Sequence, residues 1–289
     1  MKYLIVNGDD FGFTGGVNSG ILRAFTDGIV TSTTVMANGE AFDDAVDLAK
    51  ANPDLGVGCH LVAVGGRPVA PASELSGLLN REGCLPKSLG QLTVKLAAGS
   101  ARIAHLEREF AAQVEKIIAA GISPTHFDTH KHAHVHPEVL KAVVRVACDF
   151  GIKRVRNPFG SSVGVWSSLP DGSKGVYLKQ YAASAAVGPA RASFERTVRS
   201  HGIKTPDFFY GVSATGLLNR EVLMRLLEGV PDGITELVCH PGGYDAELES
   251  AATRLKQSRQ RELDALTDRG VKALASEIGI RFINYREIA

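Results

Sequence analysis

A chain of 289 residues, 44% of them hydrophobic, can bury one large core and falls within the usual size of a single α/β barrel. Its formal net charge of +1, with no polybasic block, excludes an electrostatic case for nucleic acid or an anionic membrane surface and leaves a small or neutral substrate as the expected partner. Cys59, Cys84, Cys148 and Cys239 are scattered without a CxxC pair, and there is neither a signal-like N-terminus nor a run of ~18 apolar residues, so a soluble, cytoplasmic protein without membrane insertion is expected.

In chain order, residues 3–7 read as a short buried strand that Gly8 stops. Asp9 and Asp10 follow at once. Adjacent carboxylates at a strand end repel each other unless a cation or a shared proton relieves them, which suits metal and base roles. The plainer option is a polar loop in which Asp10 caps the next helix. Residues 15–27 form a helix with Val17, Ile21, Leu22 and Phe25 on one face, residues 31–36 a second strand, and residues 41–50 a second helix before Pro53. The third strand, 55–61, carries His60 near its C-terminal end. Residues 62–100 bring Gly65, Gly66, Pro68, Pro71, Gly83 and Pro86 with little periodicity and read as a loop insertion over the mouth of the sheet. Residues 101–120 are a strong helix ended by Gly121.

The stretch from Thr125 to Pro137 holds five of the nine histidines. His126, Asp128, His130, His132, His134 and His136 all occupy even positions, so an extended segment would turn them to one face. The strand pattern ends near Thr129, however, and Pro137 opens an amphipathic run, so the later histidines are expected on a strand-to-helix loop. Such loops carry the chemistry of barrel and open-sheet enzymes. Imidazole is the commonest protein metal ligand and titrates nearest neutrality.

After the helix at 137–150, residues 152–158 read as a short strand on which Arg154 and Arg156 share a face; paired to a carboxylate, Arg156 would neutralise and orient it. Residues 159–189 are Gly- and Ser-rich and suggest a second mouth loop, where Trp166 or Tyr177 could offer an apolar face to a ligand. A helix at 190–201, a strand at 205–211 and a helix at 220–227 follow. Residues 235–244 end a buried strand in His240 and a Pro-Gly-Gly turn suited to hold the imidazole at the strand tip. Helical runs at 253–266 and 271–278 and a strand at 281–284 complete the chain.

Strand then helix recurs seven or eight times without an internal linker, which predicts a single-domain α/β protein with seven to eight parallel strands in a distorted (β/α), TIM-like barrel. Asp10, His60 and His130 come from three strand tips, and two imidazoles with one carboxylate suit a catalytic divalent ion, zinc first and magnesium second. Asp9 could then take a proton from water, and His240 could protonate a leaving group, which together describe metal-assisted hydrolysis. Other chemistries fit part of this set. Asp9 and Asp10 could bridge two ions in a phosphoesterase, two histidines and a carboxylate are also the facial triad of iron oxygenases, and a binding protein without catalysis could use the same ligands.

The successive segments Gly8-Asp9-Asp10-Phe11-Gly12, Gly58-Cys59-His60-Leu61, Asp128-Thr129-His130-Lys131-His132-Ala133-His134, Pro206-Asp207-Phe208 and Cys239-His240-Pro241-Gly242 resemble those of the YdjC-like carbohydrate deacetylases. That family includes chitooligosaccharide deacetylases and hopanoid-biosynthesis-associated deacetylases, and Gly65-Gly66-Arg67-Pro68-Val69 resembles the latter branch. The resemblance covers the chain to about Arg261. It implies a distorted (β/α) barrel that removes acetyl groups from N-acetylated amino sugars, whether in an oligosaccharide or in the sugar headgroup of a glycolipid. Asp10, His60 and His130 would be the metal ligands, Asp9 the base, His240 the acid and Arg156 the arginine that orients the base. His130 and His134 also have the i, i+4 spacing of a helical ligand pair; with His60 as the second imidazole, His132 and His134 become supporting or substrate-contacting positions. Family members often associate, so a homo-oligomer is open, although no interface is legible in the sequence.

Overall fold

The computed structural model describes residues 1–161 and 163–288. Strands and helices alternate along the chain: β1 (Lys2–Phe11), α1 (Gly15–Thr26), β2 (Ser32–Val35), α2 (Phe42–Ala51), β3 (Gly56–Leu61), α3 (Leu89–Ala97), α4 (Ile103–Ala119), β4 (Phe127–Thr129), α5 (Pro137–Asp149), α6 (Lys174–Ala186), α7 (Arg191–Ser200), β5 (Phe208–Tyr210), α8 (Arg220–Glu228), β6 (Gly233–Cys239), α9 (Ala246–Ser250), α10 (Gln257–Leu266), α11 (Arg269–Glu277) and β7 (Ile280–Phe282). The strands pair in parallel in the order β4-β3-β2-β1-β6-β5, and β7 adds to β1. Single bridges, Phe127 with Val155 and Arg154 with Lys204, continue the pairing beyond β4. The result is an α/β fold whose parallel strands curl into a half-barrel.

The helices bury most of the faces that their periodicity predicts, although in α1 Leu22 and Phe25 are only half-buried and Ala24 takes the inward position. Val17, Ile21 and Ala24 of α1, Leu106, Phe110, Val114 and Ile117 of α4, and Val139, Leu140, Val143 and Ala147 of α5 are all buried against the main core. Burial of each larger aliphatic or aromatic side chain stabilises the fold by about 1.5–3 kcal/mol. The concave side is graded. At the N-terminal ends of the strands, Ile5, Ile283, Tyr285 and Ile288 form a separate apolar cluster. His126 stacks on Tyr285 with ring centroids 3.6 Å apart, and Gly58 leaves room for it, since a Cβ there would lie 2.5 Å from the imidazole. Higher up, towards the C-terminal ends, the residues become charged.

Four expectations change. Gly8 does not stop β1, which runs on to Phe11; the missing Cβ instead admits Ile21 of α1, which a Cβ at Gly8 would approach to 3.3 Å. Residues 152–158 are no regular strand, because only Arg154 and Val155 form bridges; Pro158 and Pro206 lack the N–H groups that further ladder bonds would need. The 62–100 segment contains α3, capped by Ser88 accepting from the Gln91 N–H, and a short 3-10 turn at Ala72–Glu74. The 159–189 segment contains α6, whose alanine-rich sequence has helix propensity but little amphipathic pattern.

Candidate active site

β1 delivers two successive carboxylates to one place. In a regular strand, neighbours point to opposite faces. Here the register of β1 against β2 shifts between Gly8 and Phe11, and Asp10 adopts a left-handed φ of 71°. Asp9 and Asp10 therefore both line the same cavity of about 590 Å³. Asp enters this backbone region more readily than most residues, and the strain is on the order of 1–3 kcal/mol. Contacts to Asp10 from three directions hold it there. His60 Nε2 and His130 Nδ1 each lie 3.3 Å from Asp10 Oδ1, and Arg259 Nη2 lies 2.5 Å from Oδ2.

His60, at the tip of β3, is fixed from behind. Its Nδ1 lies 2.7 Å from Asp128 Oδ1 and 3.1 Å from the Thr34 hydroxyl, so Nδ1–H donates to the carboxylate and Nε2 is left directed at the site. His60 Nε2 is 3.3 Å from His130 Nδ1. The three donor atoms thus form a triangle with 3.3 Å edges. Bonds of about 2.0–2.1 Å to a tetrahedral ion space their donors by about 3.3–3.4 Å, so Asp10, His60 and His130 could hold a divalent ion without rearrangement. Electrostatics agree. The buried carboxylates of Asp9, Asp10 and Asp128 outnumber the guanidiniums of Arg156 and Arg259, and Glu236 and Glu262, raised to about 7 by burial, add partial charge; this surplus of anions favours a cation. Burial would lower the His60 pKa, but Asp128, Asp10 and Asp9 raise it to about 10; positive charge is favoured at this point, as a proton or as a metal.

Arg156 organises the floor. Fully buried, it donates to Asp9 through Nη1 (2.8 Å) and Nη2 (2.6 Å) and to Glu236 Oε1 through Nε (2.9 Å), and its Nη1 forms an ion pair with Asp128 Oδ2 at 2.7 Å. Asn7 Nδ2 adds a bond of 2.8 Å to Asp9. Burial pushes the Asp9 carboxyl up, but Arg156, then His60 and His240, hold it well below the usual carboxylate range. Beneath Arg156, Glu236 accepts from the Tyr285 hydroxyl at 2.6 Å, and its burial dominates, raising its pKa to about 7. Arg154, the neighbour on the same face, donates to the carbonyls of Ile288 and Arg286 and takes no part in the site.

The histidine tract divides. Beyond β4 the chain turns into a 3-10 segment, His130–Val135, in which Lys131 (φ 56°) and His132 (φ 51°) are left-handed, so the common face of the even positions is lost. His130 faces the triangle, and His132 lines the cavity with its ring edge-on to Phe209, 5.4 Å between centroids. His134 does not reach the cavity. Its Nδ1 lies 2.6 Å from the Thr129 hydroxyl and its Nε2 3.2 Å from the carbonyl of Arg156, which braces the main chain that carries Arg156. Burial and Arg156 lower its pKa to about 3. His136 caps α5 by accepting from the Glu138 N–H. The i, i+4 pair of His130 and His134 therefore does not converge on one point.

His240 follows β6 and lines the cavity, its N–H donating to Glu262 at 2.6 Å. Burial lowers its pKa to about 4 against the pull of Asp9 and Asp10. Nδ1 of His132, Nδ1 of His240 and Nη1 of Arg259 are buried without a hydrogen-bond partner among the described residues. Polar atoms left unpaired around one cavity fit a site completed by something bound there.

A family model for the YdjC-like protein matches residues 3–277. The chain belongs to the YdjC-like family. Among its relatives, a carbohydrate deacetylase of Geobacillus stearothermophilus is 36% identical over 99% of this chain and 98% of its own length. A chitooligosaccharide deacetylase of Salmonella typhimurium is 33% identical, covering 97% of this chain and 96% of its own. A crystal structure from Enterococcus faecalis V583, provisionally described as that of a cellobiose-phosphate cleavage protein, superposes with a TM-score of 0.76 at 24% identity, over 98% of this chain and 97% of the other, and shares the fold.

Two charged residues of this YdjC-like site carry little sequence signal. Arg259 and Glu262 lie one turn apart on the buried face of α10, where Arg259 reaches Asp10 and Glu262 accepts from the N–H groups of His240 and Gly216. Their place among Arg254, Lys256 and Arg261 reads as a solvated helix face, and only their i, i+3 spacing beside Leu263 and Leu266 hints otherwise. The other wall of the cavity comes from α6 and its end, with Gln180, Ala183, Ser184 and Val187, and from apolar residues including Phe13, Leu89 and Val135. Trp166 and Tyr177, expected as ligand contacts, pack edge to face on each other at 6.3 Å and stay outside it.

Proposed function

We propose that this YdjC-like chain is a metal-dependent hydrolase that removes the N-acetyl group from an N-acetylated amino sugar, in an oligosaccharide or in the sugar headgroup of a glycolipid. The observation that carries the reading is the 3.3 Å triangle of Asp10, His60 and His130 beside Asp9 on one cavity wall. The names of the relatives, carbohydrate deacetylase and chitooligosaccharide deacetylase, support the substrate class. A divalent ion held by the triangle, zinc or magnesium, would polarise the acetyl carbonyl and acidify water beside it.

The chain's own groups do the rest. Asp9, fixed in rotation by Arg156 and Asn7, accepts a proton from the attacking water. A carboxylate held so far below its usual range is a weak base toward bulk water, so it serves only water that the site has already made acidic. His240 stands neutral at pH 7. The proton that Asp9 takes from the water is the one the amine nitrogen needs; relayed through His240, it reaches the nitrogen as the C–N bond breaks, Asp9 returns to its carboxylate form, and acetic acid, which ionises to acetate, leaves with the free amino sugar. Val135, Leu89 and Phe13 offer apolar surface to the C–H faces of a sugar and to the acetyl methyl.

The phosphoesterase alternative needs Asp9 to bridge a second ion, yet Oδ1 already accepts from Arg156 and Asn7 and Oδ2 from Arg156; the one lone pair left on Oδ2 suits a proton acceptor better than a bridge between two ions. We take the chain as one deacetylase domain of distorted (β/α), TIM-like form; the bridges at Val155 and Lys204 support closure between β4 and the strand that follows Lys204. Among the described residues no helix is long and apolar enough to cross a membrane, and the four cysteines are free, which supports a reducing, cytoplasmic setting.

The test is acetate release from a panel of N-acetylglucosamine oligosaccharides and glycolipids, using protein stripped of metal and then restored with zinc or magnesium. Release that depends on the added ion is expected. Release unaffected by chelation would remove the metal from the reading, and turnover of phosphate esters in place of acetyl sugars would favour the phosphoesterase.

A further inference from the structure

Asp10 is held by two parties that divide its carboxylate. Oδ1 faces His60 Nε2 and His130 Nδ1, while Oδ2 is taken by Arg259 Nη2. Arg259 is only 1% exposed, and it comes from α10, far along the chain from Asp10, His60 and His130. Its side chain is fixed along its length. Nε donates to the carbonyl of Leu255 at 3.2 Å, and the guanidinium lies over the ring of Phe13, 5.7 Å from the centroid. The aliphatic stem packs on Gly242, where a Cβ would lie 3.1 Å from Cδ of Arg259 and 3.2 Å from its Cβ. Gly242 in turn abuts Gly20 of α1 so closely that a Cβ on Gly20 would come within 2.4 Å of its Cα. The close packing of α1, the turn after His240 and α10 therefore brings the guanidinium to one oxygen of one carboxylate.

A carboxylate next to a divalent ion can bind through one oxygen or both, and the second mode fills a coordination position. We propose that Arg259 is a positioning residue that reserves Oδ2 of Asp10 for itself, so that Asp10 offers the ion Oδ1 alone and the ion keeps its open positions for water and the acetyl group. The inference rests on the reading of Asp10, His60 and His130 as metal ligands. It also accounts for a cation placed beside a cation site: Arg259 restricts the ligand at a cost in electrostatic attraction for the ion. Removing any nearby cation raises affinity for the ion, so it is the coordination number, not the affinity, that separates this role from a structural one.

The test uses cobalt(II) as the probe, because its visible absorption weakens as coordination number rises. Full-length wild-type protein, Arg259→Met, Arg259→Gln and Arg259→Lys are titrated with cobalt, and affinity, spectrum and acetate release are recorded. In the Met and Gln variants Oδ2 is released. The expected result is cobalt bound at least as tightly as by wild type, with a several-fold weaker visible band and turnover reduced by about 10- to 100-fold. The ammonium introduced by Arg259→Lys sits on a shorter side chain but can still donate one hydrogen bond, so this variant is expected to keep most of the wild-type band. Stoichiometric cobalt with an unchanged spectrum in Met or Gln would overturn the inference, as would weaker binding that tracks a loss of thermal stability. Failure of the wild-type chain itself to bind cobalt would instead strike the metal reading on which it rests. If the Met variant does not fold, the Gln and Lys variants decide by the same spectra.

Discussion

The tips of β1, β3 and β4 and the helix α6 face the same cavity but are built on opposite terms. At the strand tips Asp9, Asp10, His60 and Asp128 are all buried, and almost every polar atom is paired. Helix α6 buries none of its residues and reaches the cavity through Gln180, Ala183 and Ser184. Buried charge is costly and tolerates no misplacement, so the tips hold one geometry. The α6 wall carries no such penalty, and its side chains can change with what must fit. On the proposed function, chemistry belongs to the tips and selectivity to the wall.

The sharpest way to break that contrast is to remove the centre of the buried network. Arg156→Met would leave Asp9, Asp128 and Glu236 without their shared partner, and a loss of about 3–5 kcal/mol is expected from urea unfolding. A change below about 1 kcal/mol would show that the network is not the structural centre of the site.

Glu236 gives the next effect, through pH. Its folded-state pKa of about 7 lies above the ordinary value of 4.5, so between these the folded chain keeps a proton that the unfolded chain gives up. The associated stability is fully present below about 4.5 and is lost as pH rises through about 7. At about 1.4 kcal/mol per pKa unit the contribution is on the order of 3 kcal/mol. Glu236→Gln should therefore flatten the decline in stability between pH 5 and 8, with Glu262, raised to about 7 by burial, keeping part of the slope. An unaltered slope in this variant would mean that Glu236 stays ionised across the range.

Asp128→Asn probes the tips without removing any of the three proposed ligands. The amide can no longer fix His60 as the carboxylate does, and metal affinity is expected to fall by about 10- to 100-fold in a competition titration. The smallest effect belongs to the wall. Ala183→Phe should leave stability within about 0.5 kcal/mol while changing KM more than kcat for bulky acetylated sugars. A loss of kcat equal to that of the Asp128 variant would erase the distinction between tip and wall.

The same contrast explains what the sequence reveals. His60, His130 and the Asp9-Asp10 pair are legible because strand tips are marked by short β-branched runs that end in polar residues, and the order of helices and strands follows from periodicity. The bulge that turns Asp9 and Asp10 to one cavity is not, since the left-handed φ at Asp10 depends on contacts from distant segments. Nor is the division of the histidine tract. His130, His132 and His134 look equivalent until Lys131 and His132 turn left-handed and send His134 back against Arg156. Arg259 and Glu262 stay hidden because charge on a helix normally signals solvent. α6 is missed for the converse reason, since a helix that buries nothing leaves no apolar stripe to read.

The most direct measurement is metal content alongside acetate release in Asp9→Asn and His60→Ala. The account predicts that Asp9→Asn keeps one divalent ion per chain while acetate release falls by about 10²- to 10⁴-fold, and that His60→Ala loses both ion and activity. An Asp9→Asn enzyme that still releases acetate at the wild-type rate, or a His60→Ala protein that still holds its ion as tightly, would contradict the division of β1 and β3 into base and ligand.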